Sequence, residues 1–350
     1  MKAAGTIRPC IIGMDAHERL CLLGLSHVEF LHPREKLALI EMLGRPSRLF
    51  SLPLSELARL TGRRLRTREW VPKVILRAAE ETEKLLTRDG MRSIFYWDPT
   101  YPPQLRTIFD PPATLFLRGA LPETDRTLAG VVGTRFPTGA ARTAAFRLGF
   151  ELGKEGGGVV SGLALGIDKE AHDGCISAGG YSMAVLGNGI DDIYPPSSRQ
   201  AAAAMLGSGG GILSEYPPGV PPLRYHFPQR NRLISGLCRS VVVVQAPQRS
   251  GALITAEFAL DQGRGLYVHA AGISGSAGAG TRALAEAGAP VINGAADVLR
   301  DGSWAPRASD MSAFQCELPE GRRLAMLQGE ETEGSCALEG GDIVWRESWK

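Results

Sequence analysis

Val159-Val160-Ser161-Gly162-Leu163-Ala164-Leu165-Gly166-Ile167-Asp168-Lys169-Glu170-Ala171-His172 decides the fold of this 350-residue chain. A β-branched run reaches Ser-Gly, and a helix-compatible stretch follows. The pattern predicts a strand, a glycine turn and a helix start. Glycine lets a ligand approach the backbone closely. The unpaired N–H groups of a helix's first turn, with the helix dipole behind them, form an anion site. Phosphate is the usual biological anion there, so the turn reads as a phosphate cradle.

The same alternation extends outward. Apolar runs at Ala129–Val132, Val159–Val160, Ser182–Leu186, Gly211–Leu213, Ser240–Gln245, Leu266–His269 and Pro290–Ile292 are separated by helix-like, Ala/Gly-rich stretches. Strands without in/out alternation, interleaved with helices, predict an α/β fold with a doubly wound, mostly parallel sheet covered on both faces. Before it, short apolar-periodic stretches broken by Gly or Pro predict a small helical domain over residues 1–95. Asp98-Pro99 through Pro111-Pro112 is proline-rich and reads as an extended connector. The main domain is placed at 96–300. Residues 301–350 read as a short polar tail, flexible between Gly329 and Gly341.

Four of the expected strand ends carry small or glycine turns: Val132-Gly133-Thr134-Arg135, Ser161-Gly162, Leu186-Gly187-Asn188-Gly189, and Gln245 through Arg249-Ser250-Gly251. In a doubly wound sheet the carboxyl ends of parallel strands share one edge, where ligands bind. One such turn is ordinary in any α/β protein. Four of them, two with arginine alongside, predict an extended anion site. Phe227-Pro228-Gln229-Arg230-Asn231-Arg232 has two arginines flanking an asparagine, with an aromatic close by. Arginine grips phosphate bidentately and an aromatic stacks a base. Spacing alone weighs this reading evenly against internal pairing of the arginines with Asp191, Asp192 or Glu215.

Several chemistries are disfavoured. The glycine turn at Gly187 and Gly189 has Asp192 at the third glycine position of GxGxxG, and no GxxxxGK[ST] occurs. Asp168 and His172 share a helix face, but no second histidine or cysteine lies at metal-ligand spacing, so a helix-supporting hydrogen bond is the better reading. Neither Ser161 nor Ser250 sits in GxSxG, and no nucleophile–base–orienter set is visible. The net charge of +2 carries no global nucleic-acid signature. A local basic run (Arg59, Arg63, Arg64, Arg66, Arg68, Lys73, Arg77) reads first as a solvated face. Six cysteines without CxxC spacing predict reduced thiols and, with no bilayer-spanning run or signal pattern, a cytoplasmic protein.

These motifs resemble the DprA/Smf family of bacterial DNA-processing proteins. The likeness is carried by Tyr101-Pro102 with Asp110-Pro111-Pro112; Val132-Gly133-Thr134-Arg135; Ser161-Gly162-Leu163-Ala164 with Gly166-Ile167-Asp168 and Ala171-His172; and Gly187 with Gly189-Ile190-Asp191 and Tyr194-Pro195. Ser214-Glu215-Tyr216-Pro217, Phe227-Pro228 with Arg230-Asn231-Arg232, and Ser250-Gly251 with Leu253-Ile254-Thr255-Ala256 complete it. The resemblance implies a Rossmann-like domain that binds single-stranded DNA, forms a homodimer and helps load the RecA recombinase during natural transformation. It implies no enzyme activity, cofactor, metal or membrane attachment. It also implies that the N-terminal helices form a SAM or helix-hairpin-helix-like domain.

Carried onto this chain, the DNA-phosphate candidates are Gly133, Arg135, Ser161, Gly162, Arg230, Asn231, Arg232, Arg249, Ser250 and Gly251, with Phe227 as the stacking candidate. Four positions depart from the family pattern: Ser198 for asparagine, Gln245 for glutamate, Ala271-Gly272 for Pro-Gly, and Arg282 for asparagine. The competing reading is a nucleotide hydrolase of the phosphoribohydrolase type, for which Glu257 is the nearest catalytic glutamate and the Pro-Gly-Gly opening is missing.

Overall fold

The computed structural model describes residues 15–299, apart from Arg66 and Arg68, together with the backbone of 335–339 and 342–346. The first helices are punctuated by local chemistry. In α1 (Ala16–Gly24) the Asp15 side chain accepts the Glu18 N–H at 2.9 Å. Glu35 in α2 (Pro33–Leu43) reaches back to the His32 N–H at 2.9 Å, and Gly44, at φ +74°, ends that helix. Then follow α3 (Pro46–Phe50), α4 (Leu54–Thr61) and α5 (Pro72–Arg88). Proline opens α2, α3 and α5, where its missing N–H costs nothing. Leu22, Leu25, Leu31, Ile40, Leu49 and Leu57 are fully buried in one cluster with Phe95, Phe116 and Ile212, so the helices and the sheet share a core.

The main sheet has nine strands: β1 (Met91–Phe95), β2 (Thr114–Gly119), β3 (Leu128–Val132), β4 (Gly158–Ser161), β5 (Tyr181–Leu186), β6 (Gly211–Ser214), β7 (Ser240–Val243), β8 (Gly265–His269) and β9 (Val291–Ile292). Their order is β1-β2-β6-β5-β4-β3-β7-β8-β9, and the seven from β6 to β9 are parallel. These seven are the strands read from the sequence. Strands β3, β4, β5 and β7 are buried along their whole length, which is why their sequences do not alternate.

Short helix α6 (Pro103–Arg106) precedes β2. The crossover helices are α7 (Gly139–Lys154), α8 (Ile167–Ser177), α9 (Arg199–Gly207), α10 (His226–Leu237), α11 (Gly251–Asp261) and α12 (Ala279–Glu286), with α13 (Ala295–Leu299) after β9. From β3 the chain builds outward through β4, β5 and β6. Helix α10 then returns it to β7 on the other side of β3. The carboxyl ends of β3 and β7 therefore flank the point where strand order reverses, the place where open α/β sheets bind ligands.

Two features differ from the sequence reading. Strands β1 and β2 pair antiparallel, and β2 pairs antiparallel with β6. The prolines that made this region read as an extended connector all fall between the two strands. Tyr101, buried there, closes the excursion by donating its hydroxyl to Pro112 O at 2.9 Å. Met91–Phe95 falls within the stretch 1–95 expected to form the helical domain, yet it lies in the sheet. Within the expected tail, β10 (Ser335–Glu339) and β11 (Asp342–Arg346) pair as an antiparallel two-stranded sheet. Strand β10 falls within the stretch expected to be flexible, Gly329 to Gly341; the rest of that stretch and of the tail, apart from β11, lies outside the described residues.

Helices α7 and α8 pack with backbones in contact. A Cβ on Gly149 would sit 2.1 Å from Ala171 O, and one on Gly174 would sit 2.0 Å from Phe146 O. We expect Gly149→Ala to lower stability by about 1–3 kcal/mol through overpacking. Gly139→Ala, with nothing within 4 Å of the new methyl group, should be neutral or slightly stabilising. Thermal or denaturant unfolding of both variants checks the contrast.

Candidate nucleic-acid interface

The β4–α8 turn has the expected strand–turn–helix form, but its polar groups are engaged inside the protein. The Ser161 hydroxyl is buried and donates to Val131 O at 2.6 Å. The Gly162 N–H donates to Asp168 Oδ2 at 3.0 Å, and the Ala164 N–H serves the same carboxyl. Asp168 stands in the first turn of α8. Its side chain thus occupies the position that a bound phosphate was expected to fill.

Arg230 locks this arrangement. Its buried guanidinium donates to Gly162 O at 3.2 Å and to Val185 O, next to Asp168. A Cβ on Gly162 would come within 2.6 Å of that guanidinium, so a larger residue there would have to displace Arg230. Burial pushes the Asp168 carboxyl up, while Arg230 and the N–H donors pull it back. Burial brings Arg230 down to about 10, against the pull of Asp168. Leu163, beside the turn, is held in the left-handed region at φ +57°. That conformation is strained for leucine. Burial of its side chain and donation from Ser198 Oγ to Leu163 O at 3.0 Å hold it there. Ser198, a departure from the family pattern, has this supporting task.

Arg232 is also internal. It is 3% exposed and bonds to Asp110 at 2.9 Å and to Glu215. Burial works to lower the guanidinium, but the two carboxylates hold it above the ordinary arginine value. Burial lifts Asp110 to about 6 against the pull of Arg232. Of the two readings of the Arg230–Arg232 loop, internal pairing is what the geometry shows for both arginines, with Glu215 as one anticipated partner. Asn231 is half-buried; its amide donates to Gly251 O at 3.2 Å and its carbonyl accepts from Arg230 Nε.

The outer rim differs. Arg135 follows Gly133 on the β3–α7 loop, and Arg249 precedes Ser250 and Gly251 at the start of α11. Both arginines are exposed, and neither enters an ion pair among the described residues. Gly133 serves packing, since a Cβ there would meet Ile167 at 2.6 Å and Gln245 O at 2.8 Å. Ser250 caps α11 by accepting the Ala252 N–H at 3.3 Å. Gly251 is exposed, with open space where a Cβ would stand. Phe227 is half-buried. It lies against the Gly187 backbone and 5.7 Å from the Tyr194 ring, so Tyr194 is the exposed partner of that pair. The sequence reading missed Phe136, exposed beside Arg135, and Arg224, exposed on the loop before α10. Adjacency to Arg135 was the available signal for Phe136.

The other candidates resolve simply. His172 is buried with Nδ1 2.7 Å from Ser182 Oγ. Arg282 donates to Ile273 O at 3.2 Å and so ties down its own loop. Gly272 would place a Cβ 1.6 Å from Val244 O, and Thr281 Oγ1 accepts the Ala246 N–H at 2.7 Å, so the turn after β8 and helix α12 support the β7 end closely. Glu257 is exposed on α11. No cluster of His, Cys, Asp and Glu among the described residues could hold a metal ion.

Residues 92–302 match the model of the family described as DNA recombination-mediator protein A. The chain belongs to that family. Among its relatives, Protein Smf of Escherichia coli is 38% identical over 218 residues, covering 61% of this chain and 58% of that protein. This chain thus aligns with less than two thirds of that relative's length. The recombination-mediator fold recurs in the X-ray structure of DNA processing protein A from Streptococcus pneumoniae, with a TM-score of 0.65, 30% identity, and coverage of 83% of this chain and 99% of that one. It recurs also in the Helicobacter pylori protein, solved for its single-stranded DNA binding mode, with a TM-score of 0.53, 27% identity, and coverage of 60% and 94%.

Two expectations follow for this chain. Arg232→Ala leaves the half-buried Asp110 and Glu215 without the buried cation they share and should cost about 3–5 kcal/mol in denaturant unfolding. Burial and then Arg230 lower His172 from 6.5 to about 3. Below pH 6.5 the unfolded chain therefore takes up a proton that the native state refuses. Wild-type stability from this group is present above pH 6.5 and is lost as pH falls towards about 3. The stability gap between wild type and His172→Asn should narrow across that window.

Proposed function

We propose that the chain binds single-stranded DNA along the carboxyl edge of its sheet and acts as a recombination mediator that helps load RecA. The observation that carries this reading is the exposure of Arg135 and Arg249, neither of which enters an ion pair among the described residues. The acidic side chains there are each engaged: Asp168 by the β4–α8 turn, Glu215 and Asp110 by Arg232, Asp192 by Arg199, Asp191 by the Gly219 N–H, and Glu170 by Arg142. Arg135 and Arg249 project from the loops that follow the adjacent strands β3 and β7, at the switch point.

In this reading Arg135, Arg249, Ser250, Gly251 and Asn231 meet DNA phosphates. Gly133, Ser161, Gly162, Arg230 and Arg232 shape the edge from beneath. Phosphate contacts carry no sequence information, so binding is sequence-tolerant. The Helicobacter pylori relative, solved for its single-stranded DNA binding mode, supports the polymer chosen. We further propose that the protein is a cytoplasmic homodimer that uses no cofactor, catalyses no reaction and serves natural transformation. No helix among the described residues is long and apolar enough to cross a membrane.

Arg135→Ala and Arg249→Ala should each weaken binding of unrelated oligonucleotides alike. Each should also reduce the slope of log K against log salt by about 0.7 for every phosphate that is no longer neutralised. A salt-titrated binding assay with both variants reads this, and unchanged slopes in both would remove the assignment.

A further inference from the structure

Phe136 is 85% exposed, the most exposed large apolar side chain among the described residues. An exposed phenylalanine on a floppy loop would be unremarkable, because surface apolar residues are common. This loop is held at several points. The Thr134 N–H donates to Gln245 O at 2.7 Å, and Thr134 O accepts the Ile167 N–H at 3.2 Å. Four residues on, the Thr138 N–H donates to Gln245 Oε1 at 2.8 Å, while Gln245 Nε2 donates to Thr138 Oγ1 at 3.3 Å. Gln245 is itself buried at the end of β7. The Phe136 N–H donates to Thr134 Oγ1 at 3.2 Å. From the opposite side, Gly166 packs so closely that a Cβ there would stand 2.4 Å from Thr134 O and 2.7 Å from Arg135 O. The loop is thus clamped between the ends of β7 and β4, and its apex carries an aromatic ring in water next to an exposed arginine.

We propose that Phe136 is a base-stacking platform, taking one base of a single strand whose neighbouring phosphate is held by Arg135. The inference rests on the DNA-binding reading of the same edge and names a residue that recognises bases. A fixed loop presents the ring without an ordering cost on binding. Every base offers a π-face, so such a platform is sequence-tolerant and matches the phosphate contacts beside it. In a duplex the bases are already stacked on one another, so the platform favours single strands. The role expected for Phe227 passes outward to Phe136, because Phe227 packs beneath Tyr194.

The test uses the full chain with a fluorescently labelled oligothymidylate and an abasic oligonucleotide of the same phosphate count. Phe136→Ala should weaken oligothymidylate binding by about fivefold or more, and abasic binding by less than about twofold. Phe136→Trp should restore the oligothymidylate affinity. The ring is exposed, so neither change should disturb folding. Equal affinity of Phe136→Ala and wild type for oligothymidylate overturns the proposal. So does an equal loss on both oligonucleotides, or a changed sedimentation coefficient with the base dependence intact, which would mark Phe136 as a contact to a second copy. If the wild type binds neither oligonucleotide at low salt, it is the DNA-binding reading that fails. If the wild type binds oligothymidylate and Phe136→Ala matches it, the stacking role alone fails.

Discussion

A single residue, Gly162, sits between a buried carboxyl and a buried guanidinium. Its N–H serves Asp168 and its C=O accepts from Arg230. This bridge keeps two opposite groups apart yet mutually satisfied. It ties the β4–α8 turn to α10, the helix that carries the chain across the switch point, and through Val185 O it reaches β5. Removing either side chain would leave the other buried without its compensation, which is costly in a low-dielectric interior. The strain at Leu163 and the close approach at Gly162 persist because this network over-determines the turn.

The bridge also separates this edge from that of a nucleotide-binding protein. In the general scheme a helix N-terminus offers its free N–H groups to a ligand phosphate. Here Asp168 accepts the Gly162 and Ala164 N–H groups of the turn, and Thr134 O accepts the Ile167 N–H at the start of α8, so protein groups engage these donors. On the proposed reading the ligand meets the rim, where Arg135 and Arg249 stand on exposed loops. Arg232 plays a parallel part further out, joining α10 to the segment before β2 through Asp110 and to the end of β6 through Glu215. Two arginines of one motif thus hold the loop ends, and solitary arginines elsewhere face the solvent.

Much of this was legible in the sequence. The run of buried, non-alternating strands dictated a parallel sheet, and the glycine turns after β3, β4 and β7 fell on the shared carboxyl edge. Strands β1 and β2 were hidden because prolines crowd the stretch between them and signal extended chain, while the pairing of Phe95 with Thr114 is a long-range contact with no local mark. The candidate residues were gathered at one edge as expected, but burial sorted them. Whether an arginine bonds a phosphate or a carboxylate depends on what the fold brings near it, and Asp110 lies far along the chain from Arg232. Conversely, Phe136 looked like any apolar residue until the clamp formed by Gln245 and Gly166 showed that it is held outward.

The most direct measurement is a crystal structure of the chain with a short oligothymidylate. The account predicts phosphates against Arg135, Arg249 and the Ser250-Gly251 start of α11, with Asp168 still accepting the Gly162 N–H and Arg230 still on Gly162 O. A phosphate seated on the Gly162 N–H, with the Asp168 carboxyl displaced and Arg230 turned out to meet the strand, would contradict it.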